Sequence, residues 1–343
     1  MVRRSLIVAV LMAASSPLAA QDEWVWTGDR PDADAPLGVI GARTLDMGVM
    51  EVGYRFSQTN SRGVWFANDS LPLATTLQLY PVVPLTLSQQ THSAIFSWGL
   101  LDNLTLIGTA EFTIFERDQL TDTGILYITR IEALGDVTGS AVYEVYRSGP
   151  YRGNLSMGVV IPVGKARTWA DTPFGVGQAL PYDQRPGAGS FALTPGATFQ
   201  VQNENGSLGM QFRSRIYLDV HAPGVIDWTP GDRYHADGWA AYKLNDAFSI
   251  SAGVRWAMWG RIEGADTFLD PSMDPGSDPV TGQAGGQRAD LPVGITLKMP
   301  GGPLEGHRIQ LESIYTLHHD YEGARLGQDW AIQLGWTAGL DLF

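Results

Sequence analysis

The sequence has no cysteine, no excess of basic residues and no long apolar run beyond its amino terminus. The absence of cysteine excludes a disulfide scaffold, a thiolate metal site and a lipid anchor attached to cysteine. The net charge of −13 over 343 residues argues against nucleic-acid binding, which requires a basic surface. No later segment offers the roughly 18 uninterrupted apolar residues of a transmembrane helix. We therefore expect no nucleic-acid partner and no membrane helix in the mature chain.

The amino terminus has the order of a secretory signal. Arg3 and Arg4 precede the apolar run LIVAVLMAA, and SSPLAA follows before the polar residues QDE. This pattern predicts a signal peptide over residues 1–20, because the run is too short to cross about 30 Å of hydrocarbon. The missing cysteines fit export through an oxidising compartment. We expect residues 21–46 to be a periplasmic segment that precedes the main domain.

No long stretch has a helical period of 3.6, whereas period-2 alternation recurs from Met47 to the carboxyl terminus. In one hairpin, Leu104 and Leu106 alternate with Thr105, and similar runs occur about twelve times. Short turns recur at GLLDN, RSGPYRGN, QNENGS, KLNDA and PGGPLEGH. Longer Gly-, Pro- and Asp-rich stretches lie between them, at residues 57–90, 117–134, 164–187, 220–234, 263–287 and 319–328.

These features predict an all-β protein: a closed antiparallel transmembrane β-barrel of about 12 strands over residues 47–343. Alternation of short periplasmic turns with long extracellular loops is typical of outer-membrane barrels. A soluble β-sandwich is the alternative for alternating strands, but it does not need this alternation of connections. Aromatic residues at strand ends suit the two interfacial girdles of a membrane barrel; they are Tyr54, Trp98, Tyr143, Trp256, Trp330 and Trp336.

The predicted location is therefore the bacterial outer membrane, with lipid against the apolar face. A bilayer offers no hydrogen-bond partners, so a sheet within it has to close. The chain ends in Phe343, as many outer-membrane proteins do for recognition by the barrel-assembly machinery, although Phe343 is out of phase with the apolar set of its strand. We expect that machinery to be a partner.

Charged residues share the predicted inward face of the strands. Two interpretations remain open: a charged constriction that selects permeants, or a structural network that fills the lumen. Both require these side chains to point inward, because a charge facing mid-bilayer lipid costs roughly 2–4 kcal/mol. The candidate lumen residues are Arg55, Glu51, Glu111, Glu144, Arg213, Arg215, Arg255, Arg308 and Glu312.

Enzymatic chemistry has little support in the sequence. Asp219 with His221, and His318 and His319 with Asp320, lie at predicted outer strand ends, where aspartate–histidine pairs could activate water. His318 and His319 would face opposite sides of a strand, and no nucleophile elbow, phosphate loop or zinc spacing occurs. We expect no enzyme, no catalytic residues and no cofactor.

The loop over residues 263–287 gathers four aspartates, and two interpretations of it remain open. Carboxylates at such spacing could hold calcium, but the order and final glutamate of an EF-hand are missing. An exposed, acidic, turn-rich loop is the favoured alternative. The four aspartates are Asp266, Asp270, Asp274 and Asp278.

Six blocks, in this order and spacing, resemble the phenol meta-pathway degradation proteins, a family of transporter-like outer-membrane proteins. They are GLLDNLTL (99–106), GDVTGSAVYEVY (135–146), LPYDQRPGAGSFALTPG (180–196), WGRIEGAD (259–266), GPLEGHRIQLE (302–312) and DYEGARLGQDW (320–330). The resemblance runs from about residue 33 to the end. Many members carry histidines around the block that here reads DADAPLGVIGAR, and the departure at Asp34, Ala42 and Arg43 speaks against a soft-metal role.

The resemblance implies an outer-membrane channel that takes up small hydrophobic or aromatic solutes. The alternative is a barrel that transports nothing, either a surface enzyme with an Asp/His site or a structural or adhesive protein. An open lumen, or a side opening lined by aromatics, would favour transport. A blocked lumen with a surface carboxylate–histidine cluster would favour the alternative.

Overall fold

The structure is a computed structural model that describes residues 24–221, 227–280, 283–299, 301–302 and 304–340. The predicted signal peptide and Phe343 lie outside these residues. In the described part of the chain, no helix has the length and apolar character needed to cross a membrane.

Strands account for most of the described chain. They are β1 (Met50–Ala67), β2 (Asp69–Ser70), β3 (Val82–Leu101), β4 (Leu104–Thr121), β5 (Leu126–Ser148), β6 (Tyr151–Ile161), β7 (Trp169–Thr172), β8 (Gly175–Ala179), β9 (Ser190–Leu193), β10 (Gly196–Gln202), β11 (Gly206–His221), β12 (Trp228–Thr229), β13 (Arg233–Lys243), β14 (Phe248–Trp259), β15 (Glu263–Gly264), β16 (Gly286–Lys298) and β17 (Arg308–Leu340). One α-helix, α1, spans Leu73–Leu79, and three short 3₁₀-helices span Pro31–Ala33, Tyr182–Gln184 and Pro275–Ser277.

The main sheet is a closed antiparallel barrel. Its wall follows the order β10-β11-β13-β14-β16-β17-β1-β3-β4-β5-β6, and pairing of β6 with β10 closes it. Two short strands, β2 and β9, pair with wall strands but are not part of the closed ring. The all-β closed barrel is thus confirmed. Within the described residues its wall contains eleven strands, and the predicted count of about twelve is not confirmed.

β17 is unusually long and serves two neighbours. Residues 308–321 pair with β16, and residues 321–340 pair with β1, both antiparallel. A straight strand of this length would extend about 110 Å, several times the thickness of a bilayer. The two parts of β17 therefore span the membrane one after the other, the first beside β16 and the second beside β1.

The wall strands alternate as predicted, with apolar side chains outside and polar side chains inside. On β4, Leu106 is 36% exposed, whereas Thr105 beside it is 1% exposed. The lipid-facing band also contains Phe96, Met157, Phe212, Val254 and Leu334, all exposed. An exterior of this kind is stable only where lipid covers it, because apolar area left in water is unfavourable.

The five predicted short turns each connect consecutive wall strands at one end of the barrel. Three of the predicted long loops are wrong in part. Residues 57–67 and 82–90 belong to β1 and β3, residues 117–121 and 126–134 to β4 and β5, and residues 319–328 to β17. Outside lipid, both faces of a strand meet water, so polar side chains such as Arg130 point outward and the apolar alternation fades.

We expect opposite outcomes when arginine replaces two adjacent residues of β17. Leu334→Arg should destabilise the folded barrel by roughly 2–4 kcal/mol, because the side chain faces lipid. Gln333→Arg should cost much less, because Gln333 has the inward phase of its partner Ser57. Urea titration in lipid vesicles measures both. Equal losses would show that the inside and outside faces are assigned wrongly.

Candidate functional site

Residues 24–49, hereafter the N-terminal segment, lie inside the barrel. The backbone amides of Leu37 and Ile40 donate to Glu312 Oε2 at 3.2 Å and Gln211 Oε1 at 3.4 Å. The amide of Leu45 donates to Thr105 Oγ1 at 2.7 Å. These acceptors belong to β17, β11 and β4, which lie at separate positions around the barrel. The segment therefore crosses the lumen.

The carbonyl groups of the same segment are also satisfied by wall side chains. Arg55 donates to the Leu37 carbonyl at 2.8 Å, and Asn154 donates to the Ala42 carbonyl at 2.7 Å. Ser249 and Gln310 donate to the carbonyls of Pro31 and Ala35, at 2.9 and 3.1 Å. A buried segment without regular structure needs such partners, since unpaired backbone groups are costly to bury.

Ion pairs tether the segment at several points. Asp34 accepts from Arg308 at 2.8 Å, and Arg43 is paired with Glu51 and lies 3.6 Å from Asp34. Burial alone would lower the pKa of Arg43, but the charges of Glu51 and Asp34 outweigh it and raise that pKa. Arg308 also donates to the Gly28 carbonyl at 3.0 Å, and buried charges are tolerated when they are paired in this way.

Close packing adds to these polar contacts at Gly335 on β17. A Cβ atom at this position would lie 2.3 Å from Leu37 Cδ2, far inside normal contact distance. Only glycine lets the Leu37 side chain lie against the strand. The segment thus fits one place on the wall.

The nine predicted lumen residues all lie on the inward face, and six of them belong to the network around the N-terminal segment. These six are Glu51, Arg55, Glu144, Arg255, Arg308 and Glu312. Thr44 links Glu144 to the segment at 3.0 Å. Glu111 lies 3.9 Å from Arg55, at the edge of this network. Arg213 and Arg215 lie on β11 outside it.

A cavity of about 440 Å³ lies inside the lumen, lined by wall side chains and by loop residues that include Tyr182, Arg185 and Trp228. Leu87, Phe115 and Leu326 form a buried apolar cluster on one part of its wall. Arg215 and Glu111 line it as well. Its volume falls within the roughly 300–1,000 Å³ of small-molecule sites.

The loops that cover this cavity are held by a buried ionic cluster. Asp266 accepts from Arg167 at 2.9 Å and from Arg185 at 2.7 Å, while the Tyr182 hydroxyl accepts from the Asp266 amide. The guanidinium of Arg185 also lies over the rings of Tyr182 and Trp228. Burial alone would raise the pKa of Asp266, but the hydrogen bonds from Arg167 and a backbone amide, with the charge of Arg185, hold that pKa low.

A second cluster centres on Arg117, which is fully buried on β4. It donates to Gln119 and Asp274, both at 2.8 Å, and lies 3.4 Å from Asp183. Burial raises the pKa of Asp274 despite the charge of Arg117. The two clusters join loops 164–188 and 263–285 to the wall, so they form a cover over the cavity.

These contacts correct the favoured prediction of an exposed acidic loop. Asp266 and Asp274 are 2% and 3% exposed, and arginines occupy their carboxylates. Asp270 is exposed and accepts from Ser272. Among the residues the structure describes, no group of three or more histidine, aspartate or glutamate side chains is arranged to hold a metal ion.

The aspartate–histidine pairs lie apart from each other. His221 Nδ1 lies 3.8 Å from Asp219, whose side chain is almost fully exposed, and its Nε2 lies 2.9 Å from Thr229. His319 stacks on Tyr321, with ring centroids 4.8 Å apart, and meets Trp65 edge-on. His221 and His319 therefore have different neighbours, and the ring contacts of His319 are with aromatic side chains.

The sequence pattern predicts a periplasmic segment over residues 21–46, ahead of the barrel, whereas the described part of this segment lies in the lumen. Sequence reasoning also missed Arg117 and Arg185. The period-2 pattern could have identified Arg117 as an inward-facing residue, because Arg117 continues the inward alternation of Thr113 and Phe115 on β4. The residues around it were assigned to a loop, which hid that phase. The buried role of Arg185 depends on contacts between distant loops and has no local signal.

No family model matches the chain, and no protein in the curated sequence comparison matches it. The resemblance to phenol meta-pathway proteins therefore stays a prediction. Among solved structures, an outer membrane channel from Pseudomonas putida F1 has 11% identity and a TM-score of 0.58, over 87% of this chain and 98% of that one. The toluene transporter TodX of P. putida matches at 11% identity, with a TM-score of 0.43 over 88% and 92% of the two chains; that lower score supports no conclusion. The channel match shows the fold alone, and the closed barrel with its apolar exterior confirms the outer-membrane location.

We expect Asp266→Asn to loosen the cover, because it leaves two arginines without their shared carboxylate. Removing one partner of a buried pair costs roughly 3 kcal/mol. Limited proteolysis of the folded protein should show cleavage in loops 164–188 and 263–285 at least tenfold faster. Asp270→Asn, an exposed change in the same loop, is the matched control.

The pH dependence has a defined sign. The folded pKa of Asp266 is depressed, so its contribution to stability is present above the unfolded pKa of about 3.9 and is lost as the pH falls through the folded value. The cover of the unmodified protein should therefore resist protease from pH 7 to 5 and loosen below about pH 4. Equal cleavage of Asp266→Asn and Asp270→Asn at pH 7 would contradict this role.

Proposed function

We propose that this protein is an outer-membrane channel for small hydrophobic or aromatic solutes, gated by its own N-terminal segment. The observation that carries the proposal is the division of the lumen. The segment occupies the half on the side of the short turns and leaves a cavity of about 170 Å³ beside it, and the other half contains the larger cavity with an apolar wall. In this proposal, only the N-terminal segment separates a solute in the cavity from the periplasm.

The apolar cluster supports a hydrophobic solute. Inward-facing positions of a water-filled barrel are expected to be polar, yet Leu87, Phe115 and Leu326 are buried together inside the lumen. Aromatic rings of Tyr182 and Trp228 line the same cavity. These side chains give a hydrophobic or aromatic molecule apolar surface to cover, which is the main source of affinity in such sites.

The network around the N-terminal segment supports a gate. It consists of many polar contacts of individually modest strength, which exchange with water once the segment moves. Of the two interpretations of the charged lumen, this arrangement favours the structural network for six of the nine residues. Arg213 and Arg215 stay candidates for contact with the permeant.

A disulfide can test whether the segment has to move. Leu37→Cys removes the leucine side chain that a Cβ atom at position 335 would overlap. Gly335→Cys then places a second thiol next to the thiol at position 37. The natural chain has no cysteine, so no other thiol competes. The two cysteines should form a disulfide in the oxidised protein, which holds the segment against β17, and a reductant should break this disulfide.

We expect oxidised Leu37→Cys/Gly335→Cys to lower naphthalene uptake by cells at least tenfold, with recovery after reduction. The Leu37→Cys single variant, which cannot lock, should respond to neither treatment. Uptake of radiolabelled naphthalene, corrected for cells without the protein, measures the effect. Equal uptake in both redox states would show that solutes leave through the wall. No uptake by the unmodified protein would favour a barrel that transports nothing.

A further inference from the structure

The cavity above the N-terminal segment has a cationic wall opposite its apolar wall. Arg215 on β11 and Arg233 on β13 both line the cavity and are direct partners in the strand register. The strands β5, β6 and β10 separate β4 from β11 on one side, and β14, β16, β17 and β1 separate β13 from β3 on the other. The arginines therefore face Leu87 and Phe115 across the lumen.

Arg215 and Arg233 bring two positive charges to one register position of the wall. Like charges directly opposite each other on paired strands repel. The next inward pair along the same strands, Arg213 with His235, adds a third arginine. Within the described residues, no carboxylate oxygen lies within 4.0 Å of Arg213, Arg215 or Arg233. The hydroxyl of Tyr217 is a hydrogen-bond partner of Arg215.

The carboxylates that line the same cavity have nearer partners than Arg215 and Arg233, although the charges of Glu111 and Asp136 reach Arg215 from more than 4.0 Å. Glu111 lies beside Arg55, and Asp183 lies beside Arg117. Asp136 accepts from the backbone amides of Gly164 and Ala188, at 3.1 and 2.9 Å. The cavity thus combines arginines that have no carboxylate oxygen within 4.0 Å with an apolar surface on the opposite side of the lumen.

We propose that the cavity selects small aromatic or aliphatic carboxylates. The carboxylate group lies between Arg215 and Arg233, and the apolar body lies against Leu87, Phe115 and Leu326. A guanidinium group matches a carboxylate in shape and donates two parallel hydrogen bonds. An inorganic anion would use the arginines alone and gain nothing from the apolar wall. The inference rests on the proposed function and narrows its solute class from hydrophobic molecules to amphipathic anions.

The isosteric pair 2-naphthoate and 2-naphthamide isolates the charge, because both present the same rings to the apolar wall. Isothermal titration of the full-length folded protein should show naphthoate binding at least tenfold more tightly than naphthamide. Arg215→Gln and Arg233→Gln should each remove most of that preference. Arg130→Gln is the matched control, because Arg130 lies outside the barrel in exposed ion pairs with Glu116 and Glu132.

The preference should also survive Arg215→Lys in part, since lysine keeps the charge but not the paired donors. Retention of folding in each variant is checked by the change in gel mobility on boiling. Equal affinity of the unmodified protein for the two ligands, or full preference in both glutamine variants, would overturn the inference. Phosphate competing as well as naphthoate would also overturn it, because the site would then be a general anion site.

The proposed function can fail separately. Naphthalene uptake with no preference for naphthoate would leave the channel standing and remove the carboxylate site. A clear naphthoate preference without uptake of naphthalene or naphthoate would leave the site standing and remove the channel.

Discussion

The lack of hydrogen-bond partners in lipid governs this structure. It forces the sheet to close, and closure creates an interior whose polar side chains have to be satisfied without bulk water on every side. The N-terminal segment supplies much of that satisfaction: its carbonyl groups accept from Arg55, Asn154 and Ser249, and its amides donate to Glu312 and Thr105. The same contacts that complete the interior also obstruct it.

The two halves of the lumen consequently differ in chemistry. One half is a dense network of ion pairs and hydrogen bonds with the segment. The other half keeps a cavity under a cover of loops, in which Arg117, Arg185 and Asp266 are buried and paired. Each of these charges meets a partner from another loop or from the wall, so removing one partner would leave the other charge unpaired in the interior. The proposed gated route for solutes rests on this arrangement of a covered cavity on one side and the N-terminal segment on the other.

Period-2 alternation and the short turns predicted the closed barrel, its outer-membrane location and the inward side of every candidate charge, because lipid imposes a strict two-sided pattern on each strand. The pattern failed where that constraint ends. Above the membrane, strand residues such as Arg130 were assigned to loops, and the phase of Arg117 was lost with them. The place of the N-terminal segment and the pairing of Asp266 depend on contacts between residues far apart in sequence, which leave no local signal.

The central claim is that the N-terminal segment lies inside the barrel, and hydrogen exchange of its backbone amides tests it most directly. The amides of Leu37, Ile40 and Leu45 donate to wall side chains, so they should exchange as slowly as amides of the wall strands. Exchange of the folded protein in detergent, followed by mass spectrometry of peptides covering residues 30–49, gives the rates. Strong protection of these peptides is the predicted result; exchange as fast as that of an unstructured peptide would contradict the account.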